Sequence, residues 1–103
     1  MCRNSTKVSL CLSFFLWLSV PAFAGNPMVG AGLYTKHCAN CHGANGKAML
    51  DGTPDLHISQ LMSKTDEQLA NTIKMGRSIM PGYQGLMSQE QIEDVVAYLR
   101  TFF

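Results

Sequence analysis

Charge is scarce in this chain: Asp, Glu, Lys and Arg make up 15% of its 103 residues, against about 25% in an ordinary globular domain. Eight basic residues stand against seven acidic ones, and they gather into no basic stripe, which excludes a nucleic-acid binder. No repeat or low-complexity tract is present. No Ser/His/Asp constellation and no acid pair offers acid-base chemistry. Cysteine is limited to Cys2, Cys11, Cys38 and Cys41, with neither a second Cys-x-x-Cys nor a spaced histidine pair to complete a zinc site. Trp17 is the only tryptophan, and no apolar run comfortably reaches the roughly 20 residues of a membrane span.

What is present begins with a leader. Arg3 and Lys7 precede an apolar run at residues 8–20, and Ala22 and Ala24 form a small-x-small cleavage pattern, the outline of a signal peptide. Residues 1–24 are expected to be removed after Ala24, exporting residues 25–103 to the periplasm as one domain without a membrane span. An uncleaved anchor is the alternative. Cys11 is no lipoprotein site, because Leu10 stands where a small residue is wanted. The mature chain has 79 residues, with six basic against seven acidic side chains. A domain of that size is near the limit of what an apolar core stabilises unaided, and Cys38 and Cys41 are its only thiols.

Those thiols stand in Cys38-Ala39-Asn40-Cys41-His42, the attachment sequence of c-type haem. Two thiols about one helical turn apart can add to the two vinyl groups on one porphyrin edge, and the next histidine can supply an axial ligand to the iron. Covalent haem would also be the staple that a small domain needs. Taken alone, the pentapeptide could equally be a dithiol redox pair or half a zinc site.

The flanking residues read as local structure. Gly30, Tyr34 and Cys38 recur every fourth residue and share one helical face, so Tyr34 can pack beside the haem or a partner helix. His37 is expected to face solvent. Turn chemistry fills residues 43–56, a loop long enough to serve a site, and His57 within the following segment reads as exposed rather than ligating. Thr65-x-x-Gln68 and Ser88-x-x-Gln91 are capping boxes opening two further helices, and Gly76 stops the first of them. Ile92, Val95, Val96, Leu99 and Phe102 give the last helix, at about residues 89–101, an apolar stripe, expected to meet the Gly30 face through Val95 and Tyr98.

Three methionines compete for the second axial position. Met75 lies in a last helical turn and suggests packing. Met87 precedes the Ser88 cap and makes a hydrophobic staple with Ile92. Met80 stands before Pro81 in a loop, with no competing structural role. Its thioether is a soft, neutral ligand that raises the haem potential.

Gly30-x-x-x-Tyr34-x-x-x-Cys38-x-x-Cys41-His42, then Pro54 and Leu56, Met80-Pro81, and Val95-x-x-Tyr98-Leu99 together resemble a class I mono-haem c-type cytochrome of the short bacterial type. The resemblance covers nearly all of residues 28–103. It implies an all-α cytochrome c fold whose N- and C-terminal helices cross around one haem c attached through Cys38 and Cys41. It further implies His42 and Met80 as iron ligands, the Pro54 carbonyl accepting the His42 ring N–H, and Leu56 on the haem face. With Trp17 in the leader, Gln60, Arg77 or Gln84 would have to serve the propionates.

A closed His/Met iron implies an electron carrier rather than an enzyme. Its expected partners are redox proteins, a donor dehydrogenase or reductase and an acceptor oxidase or reductase, met by a monomer steered through Lys36, Lys47 or Lys64. The alternatives are a haem subunit of a periplasmic dehydrogenase or oxidase complex, and a peroxidase or gas sensor with a labile Met80.

Overall fold

The computed structural model describes residues 25–56 and 61–102; the leader, His57 and Gln60 lie outside them. Four helices, α1 (Pro27–His37), α2 (Ala39–His42), α3 (Asp66–Met75) and α4 (Gln89–Leu99), follow in chain order. Among the described residues there is no strand, only two isolated bridges, Arg77 with Met80 and Gln84 with Met87. None of the helices among them is long and apolar enough to cross a membrane.

Each helix begins where its local chemistry dictates. The Asn26 side chain accepts from the Met28 and Val29 amides, and Pro27 occupies the first turn, where its missing N–H costs nothing. Helix α1 therefore starts a turn before Gly30. Thr65 and Gln68 form a reciprocal capping box on α3, as do Ser88 and Gln91 on α4. Gly76, at φ 75°, closes α3, a left-handed conformation that suits glycine.

Helix α1 has no strong apolar stripe; its buried residues are Gly30 and Tyr34. It docks by close approach instead. A Cβ at Gly30 would collide with the Asp94 carbonyl and touch Tyr98 Cβ, so the two terminal helices cross with backbone against backbone. Tyr34, Tyr98 and Phe102 close one side of the crossing, with ring centroids 5.2–5.3 Å apart, each such pair adding about 0.5–1.5 kcal/mol beyond its buried area. Tyr34, Leu61, Ile92, Val95 and Val96 are the fully buried centre.

Two details differ from the sequence expectation. The atoms nearest Gly30 belong to the Asp94 backbone, which the sequence expectation did not name, and to Tyr98, which it did. Asp94 is buried and accepts from the Asn26 amide at 2.7 Å, which sets a carboxylate at the N-terminus of α1, where the helix dipole favours it. Met75 is exposed, not packed.

At the other end of the molecule Arg100 gathers three segments. Its guanidinium donates to Asp66 Oδ1 at 2.8 Å, to the Leu61 carbonyl at 2.6 Å and to the Lys64 carbonyl at 2.7 Å. This fork fixes the chain entering α3 against the end of α4.

Candidate functional site

The attachment motif is a tight helical corner. Cys38 ends α1, its amide bonded to the Tyr34 carbonyl, and its own carbonyl receives the His42 amide at 2.9 Å. Gly43, at φ 77°, stops α2, and a Cβ there would strike the Lys47 carbonyl. The Tyr34 hydroxyl donates to the Gly43 carbonyl at 2.6 Å, locking α1 to the turn after the motif. Downstream, the Met49 amide bonds the Cys41 carbonyl and the Leu56 amide bonds the Gly46 carbonyl, so the long loop is folded back over the motif.

The second construction is the Met80 loop. The Arg77 and Met80 amides exchange hydrogen bonds with each other's carbonyls at 3.0 and 2.9 Å, and Ser78 takes φ 54° in the turn. The chain then returns along α3: the Tyr83 and Gln84 amides bond the Ile73 and Lys74 carbonyls, acceptors that a helix C-terminus leaves unsatisfied. Tyr83 Oη donates to the His37 carbonyl at 2.8 Å, tying this loop to α1.

Between the two constructions lies a cavity of about 440 Å³, within the size range of cofactor pockets. Tyr34, Cys38, Cys41, His42, Pro54, Leu56 and Met80 all line it. Leu50, Leu61, Leu69, Ile73, Val95 and Leu99 make most of the remaining wall apolar. Cys38 and His42 are buried, Cys41 is exposed and Met80 is half-buried.

Burial lowers the His42 pKa, opposed by a weaker upward pull from the Pro54 backbone, so the imidazole is held neutral, the form in which histidine binds a metal. His42 Nδ1 is the buried side-chain polar atom without a hydrogen-bond partner among the described residues. The Pro54 carbonyl therefore acts on the ring from nearby without completing a bond to that atom. Burial, and secondarily Cys41, pushes the Cys38 thiol up to about 11. A reactive dithiol needs the opposite shift, and no cluster of three or more metal-ligating His, Cys, Asp or Glu exists among the described residues. Among the described residues nothing completes a zinc site, and the Cys38 shift runs against a reactive dithiol.

A porphyrin does fit. The cavity has the right scale, an apolar wall, both thiols, an imidazole whose neutral form burial favours, and a thioether at its edge. Sequence reasoning missed several of its parts. His37 is half-buried, stacks edge-on against Tyr83 with centroids 5.8 Å apart and lines the cavity, as Tyr83 and Lys64 do. Tyr83, two residues past Pro81, was the one legible signal. Gln84 is exposed and outside the lining, whereas Arg77 is within it.

The family described as cytochrome C oxidase, cbb3-type, subunit III matches residues 25–99. Cytochrome c6 of Nostoc sp. (strain PCC 7120 / SAG 25.82 / UTEX 2576) is 33% identical over 89 residues, covering 84% of this chain and 79% of the relative. Cytochrome c6 of Rippkaea orientalis is 31% identical over 104 residues, covering 96% and 92%. Among solved structures, the KustC0563 c-type cytochrome superposes with a TM-score of 0.65 at 25% identity over 71% of this chain and 95% of its own. Cytochrome c6 from the diatom Phaeodactylum tricornutum gives 0.61 at 26% identity over 77% and 100%.

Proposed function

Since the chain belongs to the class I mono-haem c-type cytochromes, we propose that it is a periplasmic one-electron carrier with a single haem c held through Cys38 and Cys41 and ligated by His42 and Met80. The observation that carries this reading is the convergence of those four side chains on one cavity of about 440 Å³. When bound, the haem supplies an iron that changes between Fe(II) and Fe(III).

The chain's own residues do the rest. His42, kept neutral by burial, offers its lone pair without first losing a proton. The Pro54 carbonyl lies close enough to act on that ring, and Leu56 and Tyr34 line the wall against which a porphyrin would pack. Met80, held on a loop pinned to α3 and α1, fills the position that oxygen or peroxide would otherwise take. A site closed on both faces leaves electron transfer as its chemistry, and the protein is accordingly no enzyme. Residues 1–24 carry the export signal, and residues 25–103 work as a monomer that meets its donor and acceptor transiently.

The family described as a subunit of cbb3-type cytochrome C oxidase favours a second reading, in which the same haem domain serves inside an oxidase or dehydrogenase complex. Native-size chromatography of the protein from its source membrane and periplasm separates the two. A carrier elutes at the mass of one haem domain; a subunit elutes with its complex.

The deciding test of the site is the pyridine haemochrome spectrum of the purified protein with its reduced and oxidised absorption spectra. Covalent haem with two saturated vinyl groups is expected. Protein without haem would overturn the proposal, and rapid carbon monoxide binding by the isolated protein would move it to the sensor or peroxidase class.

A further inference from the structure

Position 25 is glycine for a reason that lies on another helix. A Cβ there would collide with the Glu93 carbonyl and stand 2.9 Å from the Asp94 nitrogen, so the chain entering α1 lies with its backbone directly on α4. The next amide, that of Asn26, donates to Asp94 Oδ1 at 2.7 Å. Three covalent bonds separate the Asn26 and Gly25 nitrogens, a span of about 3.7 Å at most. The Gly25 nitrogen therefore lies within about 6.5 Å of a carboxylate oxygen.

That carboxylate is short of positive charge. Asp94 is 7% exposed, and its hydrogen bond among the described residues is the one from the Asn26 amide. The only salt bridge among those residues joins Arg100 to Asp66, so Asp94 has no cation there, and neither have Glu90 and Glu93 on the same helix. A buried carboxylate without a counter-charge is costly, and one neutral amide answers only part of the cost. The basic residues of α1, Lys36 and His37, lie in its last turn, at the opposite end. Cleavage after Ala24 places a cation where these side chains cannot reach.

We infer that leader cleavage completes the crossing of α1 and α4, seating the new α-ammonium of Gly25 against Asp94; this rests on the export reading above. Hydrolysis of the Ala24–Gly25 peptide bond by a signal peptidase consumes one water, breaks the C–N bond and yields the Ala24 carboxylate and the Gly25 ammonium. That amine is largely protonated at neutral pH. The dipole of α1 disfavours a cation at this end, and the carboxylate beside it offsets the penalty. Glycine serves the seat twice: it leaves room for α4, and it brings the terminal nitrogen close to Asp94. A retained leader leaves a neutral amide in the same place, so the processed form is the more stable one.

The test is a double-mutant cycle on the holoprotein exported through its own leader. Wild type and Asp94→Asn are each made with the native start and with one serine inserted between Ala24 and Gly25. The insertion keeps Gly25 in its seat and moves the ammonium outward by about 3.5 Å. N-terminal sequencing fixes the first residue of each protein, and the haemochrome spectrum confirms the haem. Urea denaturation is followed by circular dichroism at low salt and about pH 6.5, below the α-amino pKa. The native start should be Gly25. At the wild-type midpoint the insertion should raise the unfolded-to-folded ratio several-fold, whereas in Asp94→Asn it should change that ratio little. Glu93→Gln, as a control, should retain the full effect of the insertion. A wild type starting at Gly25 whose stability ignores the insertion, or an insertion effect of equal size in Asp94→Asn, overturns the pairing while the export reading stands. Loss of the effect in Glu93→Gln alone overturns Asp94 as the partner. A leader retained or cut elsewhere overturns the pairing and the export reading together.

Discussion

Gly76 and Gly82 face each other so closely that neither can carry a side chain: a Cβ on Gly76 would stand 2.6 Å from the Gly82 nitrogen, and one on Gly82 would stand 2.8 Å from the Met75 carbonyl. This contact lets the chain leave α3, turn through Met80 and return alongside the same helix. It lets the loop carrying Met80 fold back so that the Tyr83 and Gln84 amides reach the carbonyls of α3.

Gly82→Ala tests that contact, since its φ imposes no left-handed penalty and only the space is lost. Overpacking against backbone costs about 1–3 kcal/mol. The substitution should lower the denaturation midpoint and weaken the far-red band of the ferric protein together. An alanine variant with both unchanged would mean that the glycines do not position Met80.

The crossing of α1 and α4 makes an opposite pair of predictions for two glycines on one helix. A Cβ at Gly30 meets the Asp94 carbonyl, whereas a Cβ at Gly32 meets nothing within 4 Å. Gly32→Ala should stabilise by about 0.5–1 kcal/mol, the helix propensity difference. Gly30→Ala should destabilise by at least about 2 kcal/mol, because backbone must move to admit it. Urea denaturation monitored by circular dichroism measures both.

How far the sequence foretold these features follows how local each one is. The Thr65/Gln68 and Ser88/Gln91 boxes are closed within three residues and were legible in full, as was the Gly30 contact face from its spacing to Tyr34 and Cys38. The helical architecture was likewise legible, and it was the resemblance to c-type cytochromes, rather than the residue types of Pro54 and Leu56, that grouped them with the motif and Met80, which line one cavity together. Asp94 was not, since its partner is the Asn26 amide 68 residues away and a charged side chain on a helix reads as solvated. His37 was misread for the same reason: Tyr83, 46 residues on, folds over it. Met75 looked like core from its place in α3, yet the loop beyond Gly76 packs on its backbone and leaves its side chain outside.

Arg100 provides a third prediction. Three of its N–H groups are committed, one to Asp66 and two to backbone carbonyls, so Arg100→Gln removes charge-assisted bonds worth about 1.5–3 kcal/mol apiece at most and frees the 61–64 wall of the cavity. Arg100→Lys can replace only one arm of the fork and should recover less than half of the loss. Equal stability of both variants and the wild type would show that the fork is incidental.

Alkaline pH supplies the fourth. Burial, then Cys38 and Tyr98, pushes the Tyr34 pKa from 10.0 up to about 12. The unfolded chain therefore loses this proton first. Stability should be unaffected by Tyr34 below pH 10 and should decline between pH 10 and about 12. In the proposed holoprotein a thioether at Cys38 would remove that charge and narrow the window. Tyr34→Phe should lose the Gly43 bond, lowering stability at neutral pH while flattening the alkaline decline; a decline as steep as in the wild type would assign it to another group.

The proposed carrier role rests on the identity of the second iron ligand, and the absorption spectrum of the ferric protein reports it directly. Wild type and Met87→Ala should both show the far-red band of methionine-ligated haem, Met87 being a buried residue immediately before the Ser88 cap of α4, and Met80→Ala should abolish it. A band that survives in Met80→Ala and disappears in Met87→Ala would contradict the His42/Met80 site and the closed coordination inferred from it.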